Sequence, residues 1–432
     1  MSENKQPLEQ RTQFDSGKKT HNNLIKPIDR AYWLHKIWKT EKLKSHADLE
    51  EVRILHWYKF NGDRKPEYDR NIEYGINNSI CGPCRVTVDR SEEKTADALI
   101  ISNEPLLNWL KTKSYKGMKF YAKEGFVEPF PSIAKRNTSQ FWVFQMKESA
   151  SKATFITEEI DGAFNFTSSY RQDADITRYF GDIENQIENY NPAEIYERVM
   201  KSKQPYGIPL KRYDQVFNSV WMVSNCNHSK GAIGRLEYGK SLIAAGLKLY
   251  AEGECFNHTT IRVKGENIKT YKNTLPAVFP KVKMKFYLAF EKEYHCNDFI
   301  TDKFWHNALR ENLVPIVYGP HVDDVRKIAP PNSLIHAEWF ESPTALVEYI
   351  DYLDSNDTAY FQYHEWRTLY PDDHNPRPYR LQNMGVNDRA LCELCRTVRN
   401  KRRLRIRQHY ESVRDIIFVH AHNFNVYILL FR

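Results

Sequence analysis

The chain has 432 residues, 41% of them hydrophobic and 13% aromatic, which is enough for two domains with cores of their own and excludes a disordered chain. Lys and Arg total 63 against 55 for Asp and Glu, a net charge of +8. That excess suits a small anionic ligand and is too modest and too dispersed for a nucleic-acid-binding protein. No run of about 18 or more apolar residues is present, so no segment of this sequence reads as a membrane span. The first residues, MSENKQPLEQRTQF, lack the apolar core of a signal peptide.

Residues 1–48 are polar, with Arg30, Lys36, Lys39, Lys42 and Lys44 scattered through them, and read as a stem or linker with a short helix near 32–38. From Val52 onward short apolar runs at 53–58, 85–88, 98–101, 118–121 and 141–144 read as strands, with gaps that hold helices. This alternation predicts a doubly wound α/β domain. The run FWVFQMKES ends directly in Glu148, at the carboxyl end of a strand, where α/β folds place their sites. By composition alone, a solvent-facing Glu is the commoner explanation. In NFTSSYRQDADI, Tyr170 and Arg171 precede Asp173 and Asp175, two carboxylates with the spacing of a metal motif. Arg171 and Arg178 in the same stretch argue for a packing loop instead, and no metal is expected there.

Residues 182–215, with QPYGIP near the end, read as an interdomain linker. A strand at 219–225, a helix at 235–245 and a strand at 247–250 open a second domain. The densest stretch is KFYLAFEKEYHCNDFITDKFWHNALRENLVPIVYGP, residues 285–320. It predicts a strand over 286–290, a helix over roughly 301–312 with Phe304, Ala308 and Leu309 on one face, and a strand over 313–318. Such a βαβ unit exposes Glu291, Lys292, Asn297, Asp298, Asp302 and Lys303 at the strand's carboxyl end, and a Lys in the first helical turn fits an anionic ligand. A strand at 333–336 follows, then a helix begun by Ser342 as N-cap and Pro343 at N1, with Leu346, Tyr349, Ile350 and Leu353 as its core stripe. Residues 396–407 carry Arg396, Arg399, Lys401, Arg402, Arg403, Arg405 and Arg407, most simply a solvated face, and an apolar end over 416–431 gives no functional reading.

The seven cysteines include two C-x-x-C pairs, CGPC at Cys81 and Cys84 and CELC at Cys392 and Cys395. Zinc ligation, thioredoxin-type redox chemistry and structural disulfides all remain open on spacing alone, although zinc pairs usually lie closer together. Six N-x-S/T sequons start at Asn77, Asn137, Asn165, Asn227, Asn257 and Asn356 and say little by themselves.

The stretch at 285–320 resembles the donor-binding signature of the α1,3/4-fucosyltransferases, glycosyltransferase family ten. Phe286, Tyr287, Leu288, Phe290, Glu291, Asp298, Ile300, Thr301, Lys303, Asn307, Ala308, Leu309, Val314, Pro315, Gly319 and Pro320 match that pattern in order. Lys292, Phe299 and Asp302 depart from it, standing where the family has Asn, Tyr and Glu, and the loop is one residue longer. Further matches are Tyr170, Arg171, Asp173 and Asp175, then Ser224, Asn225, Cys226, Arg235, Tyr238, Leu242, Tyr250 and Cys255. Glu148 falls on the family's proposed catalytic base, with Ala150 in place of the usual Pro.

The resemblance implies an α/β fold of GT-B type with two facing Rossmann-like domains. The corresponding division is a stem over 1–48, an acceptor-side domain over 49–205, a GDP-fucose-binding domain over 206–368, a return segment over 369–395 and a tail over 396–432. It implies inverting transfer of L-fucose from GDP-fucose to a GlcNAc hydroxyl of a glycan, with Glu148 as base. Asn225, Arg235, Glu291, Phe299, Asp302 and Lys303 would bind the donor, and Tyr170 and Arg171 would line the acceptor side or cleft. No cofactor is required in this scheme, and Mn2+ would at most stimulate. The expected partners are GDP-fucose and a glycan, not nucleic acid. The implied location is the Golgi lumen as a type II membrane protein, although no anchor is visible in this sequence. The resemblance pairs Cys81 and Cys84 with Cys392 and Cys395, and Cys226 with Cys255, leaving Cys296 free. The alternative is a catalytically impaired member that binds nucleotide or glycan.

Overall fold

The computed structural model describes residues 49–57, 74–76, 81–103, 131, 136–146, 148–149, 162–178, 180–181, 217–227, 229–256, 261–263, 266–268, 284–368 and 386–404. The expected stem, the strand at 118–121, the linker at 182–215, the end of the tail, Asn77 and Asn257 lie outside these residues. The chain folds into two compact units. One takes described residues from 40–179, 296–299 and 377–432, and the other from 180–295 and 300–376.

The N-terminal unit is built on strands β1 (Val52–His56), β2 (Tyr74–Ile76), β3 (Cys84–Thr87), β4 (Ala98–Ser102), β5 (Phe141–Met146), β6 (Phe166–Ser169) and β7 (Ile176–Thr177). Their order is β2-β3-β1-β4-β5-β6-β7, parallel throughout except for the antiparallel β2–β3 pair. A parallel sheet covered on both faces needs near-continuous apolar strands, and β5 (FWVFQM) is buried at every position.

The C-terminal unit is a second parallel sheet of order β14-β13-β12-β8-β9. Its strands are β8 (Ser219–Met222), β9 (Leu249–Glu252), β12 (Phe286–Phe290), β13 (Val314–Tyr318) and β14 (Ile335–His336), with a separate antiparallel pair β10 (Ile261–Val263) and β11 (Glu266–Ile268). Pro315 lies inside β13, where a missing N–H normally costs a ladder bond. Val314 N donates to Lys285 O on the β12 side, so Pro315 N faces β14, whose pairing begins only at Ile316. No bond is lost.

Helix α1 (Lys230–Ala244) starts five residues before the expected position, because Ser229 caps it by accepting from Ala232 N. Between β12 and β13 the expected single helix is a short turn α2 (Asp302–Phe304) that runs into a π-helix over Trp305–Leu309. Helices α3 (Val322–Ile328), α4 (Pro343–Ser355) and α5 (Asp357–Gln362) follow. In α4, Ser342 is the N-cap with Pro343 beside it, and Leu346, Tyr349, Ile350 and Leu353 are buried as expected.

Helix α6 (Val386–Leu404) packs on β1 and β7 in the N-terminal unit. Disulfides Cys81–Cys392 and Cys84–Cys395 fasten it to the CGPC turn, Cys226–Cys255 joins the β8 and β9 exits, and Cys296 stays outside these three bridges. The zinc and thioredoxin readings of the C-x-x-C pairs are thereby set aside. The basic run is not wholly a solvated face. Arg399 is 6% exposed and donates to Cys81 O (2.6 Å) and Pro83 O (2.9 Å).

Candidate active site

The carboxyl edge of the C-terminal sheet gathers five of the six donor-side residues. Strand β12 is followed at once by Glu291, which is 2% exposed, and a buried charge must be paired. Glu291 accepts from Thr301 N (2.8 Å) and Thr301 Oγ1 (2.7 Å) on one oxygen, and the other meets Lys303 Nζ at 3.0 Å. Lys303 Nζ also donates to Thr301 Oγ1 at 2.8 Å and keeps about a fifth of its side chain exposed (21%). The ammonium is therefore positioned by a fixed carboxylate, on a side chain that keeps some contact with solvent. Asp302 next to it is exposed.

Arg235 projects from α1 and is 2% exposed. Its two terminal nitrogens donate to Phe290 O and Asn225 O, each at 2.8 Å, so one guanidinium joins the ends of β12 and β8. Nε has no hydrogen-bond partner among the described residues. Burial lowers the Arg235 pKa, and the nearby Glu291, Tyr287 and Glu293 oppose that shift. An arginine stays charged under such pressure, so this is a desolvated cation.

The loop beneath is supported from α1. Ser229 Oγ donates to Lys292 O at 2.9 Å, and a Cβ on Gly231 would stand 2.4 Å from that same oxygen. Gly319, at φ +113°, closes β13 where a Cβ would fall 2.7 Å from Glu293 O. Sequence reasoning missed Ser229 and Gly231, and had Thr301 only as a match to the motif. The S-x-x-A start of α1 carries a capping signal that would have placed the helix start correctly. The stacking of Tyr238 on Tyr318 (centroids 4.6 Å apart) has no local signal.

The N-terminal unit holds the remaining residues. Glu148 is partly exposed, two positions beyond the end of β5, at that sheet's carboxyl edge. Tyr170 is 2% exposed at the end of β6, with Phe299 edge-on at 5.2 Å and Cys296 Sγ 3.7 Å from its hydroxyl. Phe299 is itself 2% exposed, its ring packed against Tyr170 within the N-terminal unit. Gln172 donates to Asp298 from N (3.0 Å) and Nε2 (2.8 Å). Arg171 is ion-paired with Asp173, which raises its pKa further. Asp175 accepts from Thr167 N and Oγ1 at 2.8 and 3.0 Å. The two carboxylates of the D-x-D spacing thus turn to different partners within the loop.

The sequons divide by exposure. Asn137 and Asn227 are exposed. Asn356 is the N-cap of α5 and accepts from Ala359 N. Asn165 is a correction: it is 2% exposed and accepts from Trp142 N (2.8 Å), leaving no room for a glycan on the folded chain.

Two family models match the chain. "Fucosyltransferase, N-terminal" covers residues 49–181 and "Glycosyltransferase family 10 (fucosyltransferase) C-term" covers 213–416. Over 335 residues the chain is 30% identical to 4-galactosyl-N-acetylglucosaminide 3-alpha-L-fucosyltransferase FUT5 of Homo sapiens, spanning 77% of this chain and 71% of that protein. It is 31% identical to 3-galactosyl-N-acetylglucosaminide 4-alpha-L-fucosyltransferase FUT3 of Pongo pygmaeus over 67% of this chain and 64% of that protein. A crystal structure of an alpha1,3-fucosyltransferase with GDP-fucose aligns over 83% of this chain and 94% of its own, at 13% identity and a TM-score of 0.44. With both halves matched by its models, the chain belongs to glycosyltransferase family 10, the fucosyltransferases.

Proposed function

We propose that the protein transfers L-fucose from GDP-fucose to a GlcNAc hydroxyl of a glycan, with inversion at the anomeric carbon. The observation that carries this reading is the cationic set at the C-terminal sheet edge. Arg235 is buried and desolvated, and Lys303 is held at 3.0 Å from Glu291 while remaining open to solvent. Departure of GDP builds negative charge on the β-phosphate, and cations fixed beforehand stabilise it without reorganising. Asp302, exposed beside Lys303, is assigned to the nucleotide ribose hydroxyls. Asn225 supports the set through its carbonyl bond to Arg235.

Glu148 is assigned as the base. It takes the proton of the acceptor hydroxyl as that oxygen bonds to the anomeric carbon and the bond to GDP breaks. No metal is needed to balance the leaving diphosphate in this scheme. The three disulfides require an oxidising compartment, which supports a lumenal location such as the Golgi.

The test is transfer from GDP-fucose to a panel of GlcNAc-terminated and chitobiose-core acceptors in EDTA, beside Glu148→Gln. The expected result is transfer by the wild type and a loss of roughly 100-fold or more in kcat for the variant, with donor binding kept. Wild-type GDP binding without transfer to any acceptor would instead mark a nucleotide-binding member that has lost catalysis.

A further inference from the structure

The exits of three neighbouring strands in the C-terminal sheet are tied side to side. Glu291 N donates to Tyr318 O (2.9 Å), and His295 N donates to Gly319 O (2.6 Å), so the chain leaving β12 lies along the turn leaving β13. His336, at the end of β14, hydrogen-bonds Pro320 O through Nε2 at 3.0 Å. Glu338 N donates to His336 Nδ1. One contact closes the circuit back to β12: His295 Nε2 lies 2.7 Å from Glu338 Oε1. His295 adopts φ +51°, an uncommon conformation for a residue with a Cβ, and stacks on Tyr294 at 4.0 Å. Its side chain and its strained backbone are thus both committed to this closure.

We propose that His295 is a positioning residue for the donor half, and that its contact with Glu338 holds the loop leaving β12 at Glu291 in the donor-binding arrangement. This rests on the donor site assigned above. Lys303 is set by Glu291, Glu291 begins the loop, and the His295–Glu338 pair fixes the loop four residues later.

The Glu338 carboxyl registers the contact. Burial pushes the Glu338 carboxyl up, but the bond and charge of His295, with smaller help from His336 and Tyr294, bring it below its ordinary value. His336 is fully buried and burial lowers its pKa to about 4, so it stays neutral near neutral pH. His321, on the start of α3, has its ring 5.3 Å from His295 and lies 3.9 Å from Asp323. Tyr318 of β13, with Glu237 and Tyr238 of α1, completes the surrounding groups.

The experiment measures GDP affinity, and the KM values for GDP-fucose and acceptor, for the wild type, His295→Gln, Glu338→Gln and His321→Gln. His295→Gln should raise Kd for GDP and donor KM roughly tenfold, the scale of one charge-assisted bond, and Glu338→Gln by a smaller factor, with acceptor KM unchanged in both. His321→Gln should leave all three values as in the wild type. If both pair variants bind GDP like the wild type, or His321→Gln weakens binding as much as they do, the latch is wrong while the donor site stands. If the wild type binds no GDP, the donor site falls and the latch with it. Glu338→Gln guards against misfolding of the His295 variant, since it keeps the hydrogen bond and removes only the charge.

Discussion

Arg235 serves as a structural tie and as the proposed phosphate cation, and the two roles separate on substitution. Its fork spans Phe290 O and Asn225 O at 2.8 Å each, and a lysine ammonium at the same backbone position cannot reproduce that planar geometry. Arg235→Lys should cost about 2 kcal/mol of stability by thermal or urea unfolding, from one lost charged bond to a buried carbonyl, and weaken GDP binding more than tenfold. Arg235→Ala should cost about 4 kcal/mol, because both carbonyls lose their donor. His336 gives a second measurement at this scale. Its pKa falls from 6.5 to about 4 because burial opposes charge. Below pH 6.5 the unfolded chain binds a proton that the folded chain refuses, so stability is full above that value and declines as pH falls toward 4. The linked loss amounts to roughly 3 kcal/mol by pH 4, read as a falling denaturation midpoint, and a His336→Gln variant should show a shallower decline there.

Element by element, legibility followed the range of the interactions. The parallel strands could be read from FWVFQM and FYLAF, since a strand buried on both faces must be apolar throughout. Ser342 and Pro343 announced α4 because a cap acts within one turn. The π-helix over Trp305–Leu309 could not be read, because its sequence is ordinary helix former and only packing requires the extra residue. Nor could Phe299 be read as core, since its partner Tyr170 lies on a distant stretch of chain. Gly231 shows the same limit and carries a prediction. Alanine there would normally help a helix, yet its Cβ would stand 2.4 Å from the Lys292 carbonyl, a backbone atom that cannot move aside cheaply. Gly231→Ala should destabilise by about 1–3 kcal/mol and displace the loop, with donor KM rising more than acceptor KM. Ser229→Ala removes the cap and the bond to Lys292 O but leaves the space, so its cost should be about 1 kcal/mol with a smaller change in donor KM.

At the scale of the whole chain, the C-terminal unit lies in sequence between two parts of the N-terminal unit, and helix α6 returns to complete the latter. The bridges Cys81–Cys392 and Cys84–Cys395 each span 311 residues, but their contributions are not independent. Once either is formed, the second closes only the small ring between the two C-x-x-C turns. On the chain-entropy estimate, the long loop contributes roughly 6 kcal/mol and the small ring roughly 2. A Cys84→Ser/Cys395→Ser pair should therefore cost only about 2 kcal/mol of N-terminal unit stability, because Cys81–Cys392 still closes the long loop and Arg399 still holds Cys81 O and Pro83 O. Replacing all four cysteines should cost roughly 8 kcal/mol and free α6, read as a lowered guanidinium midpoint together with lost hydrogen-exchange protection over 390–399. If the two losses came out equal, loop closure would not be what the bridges supply, and the buried contacts of Arg399 and Val398 would have to carry the attachment of α6 alone.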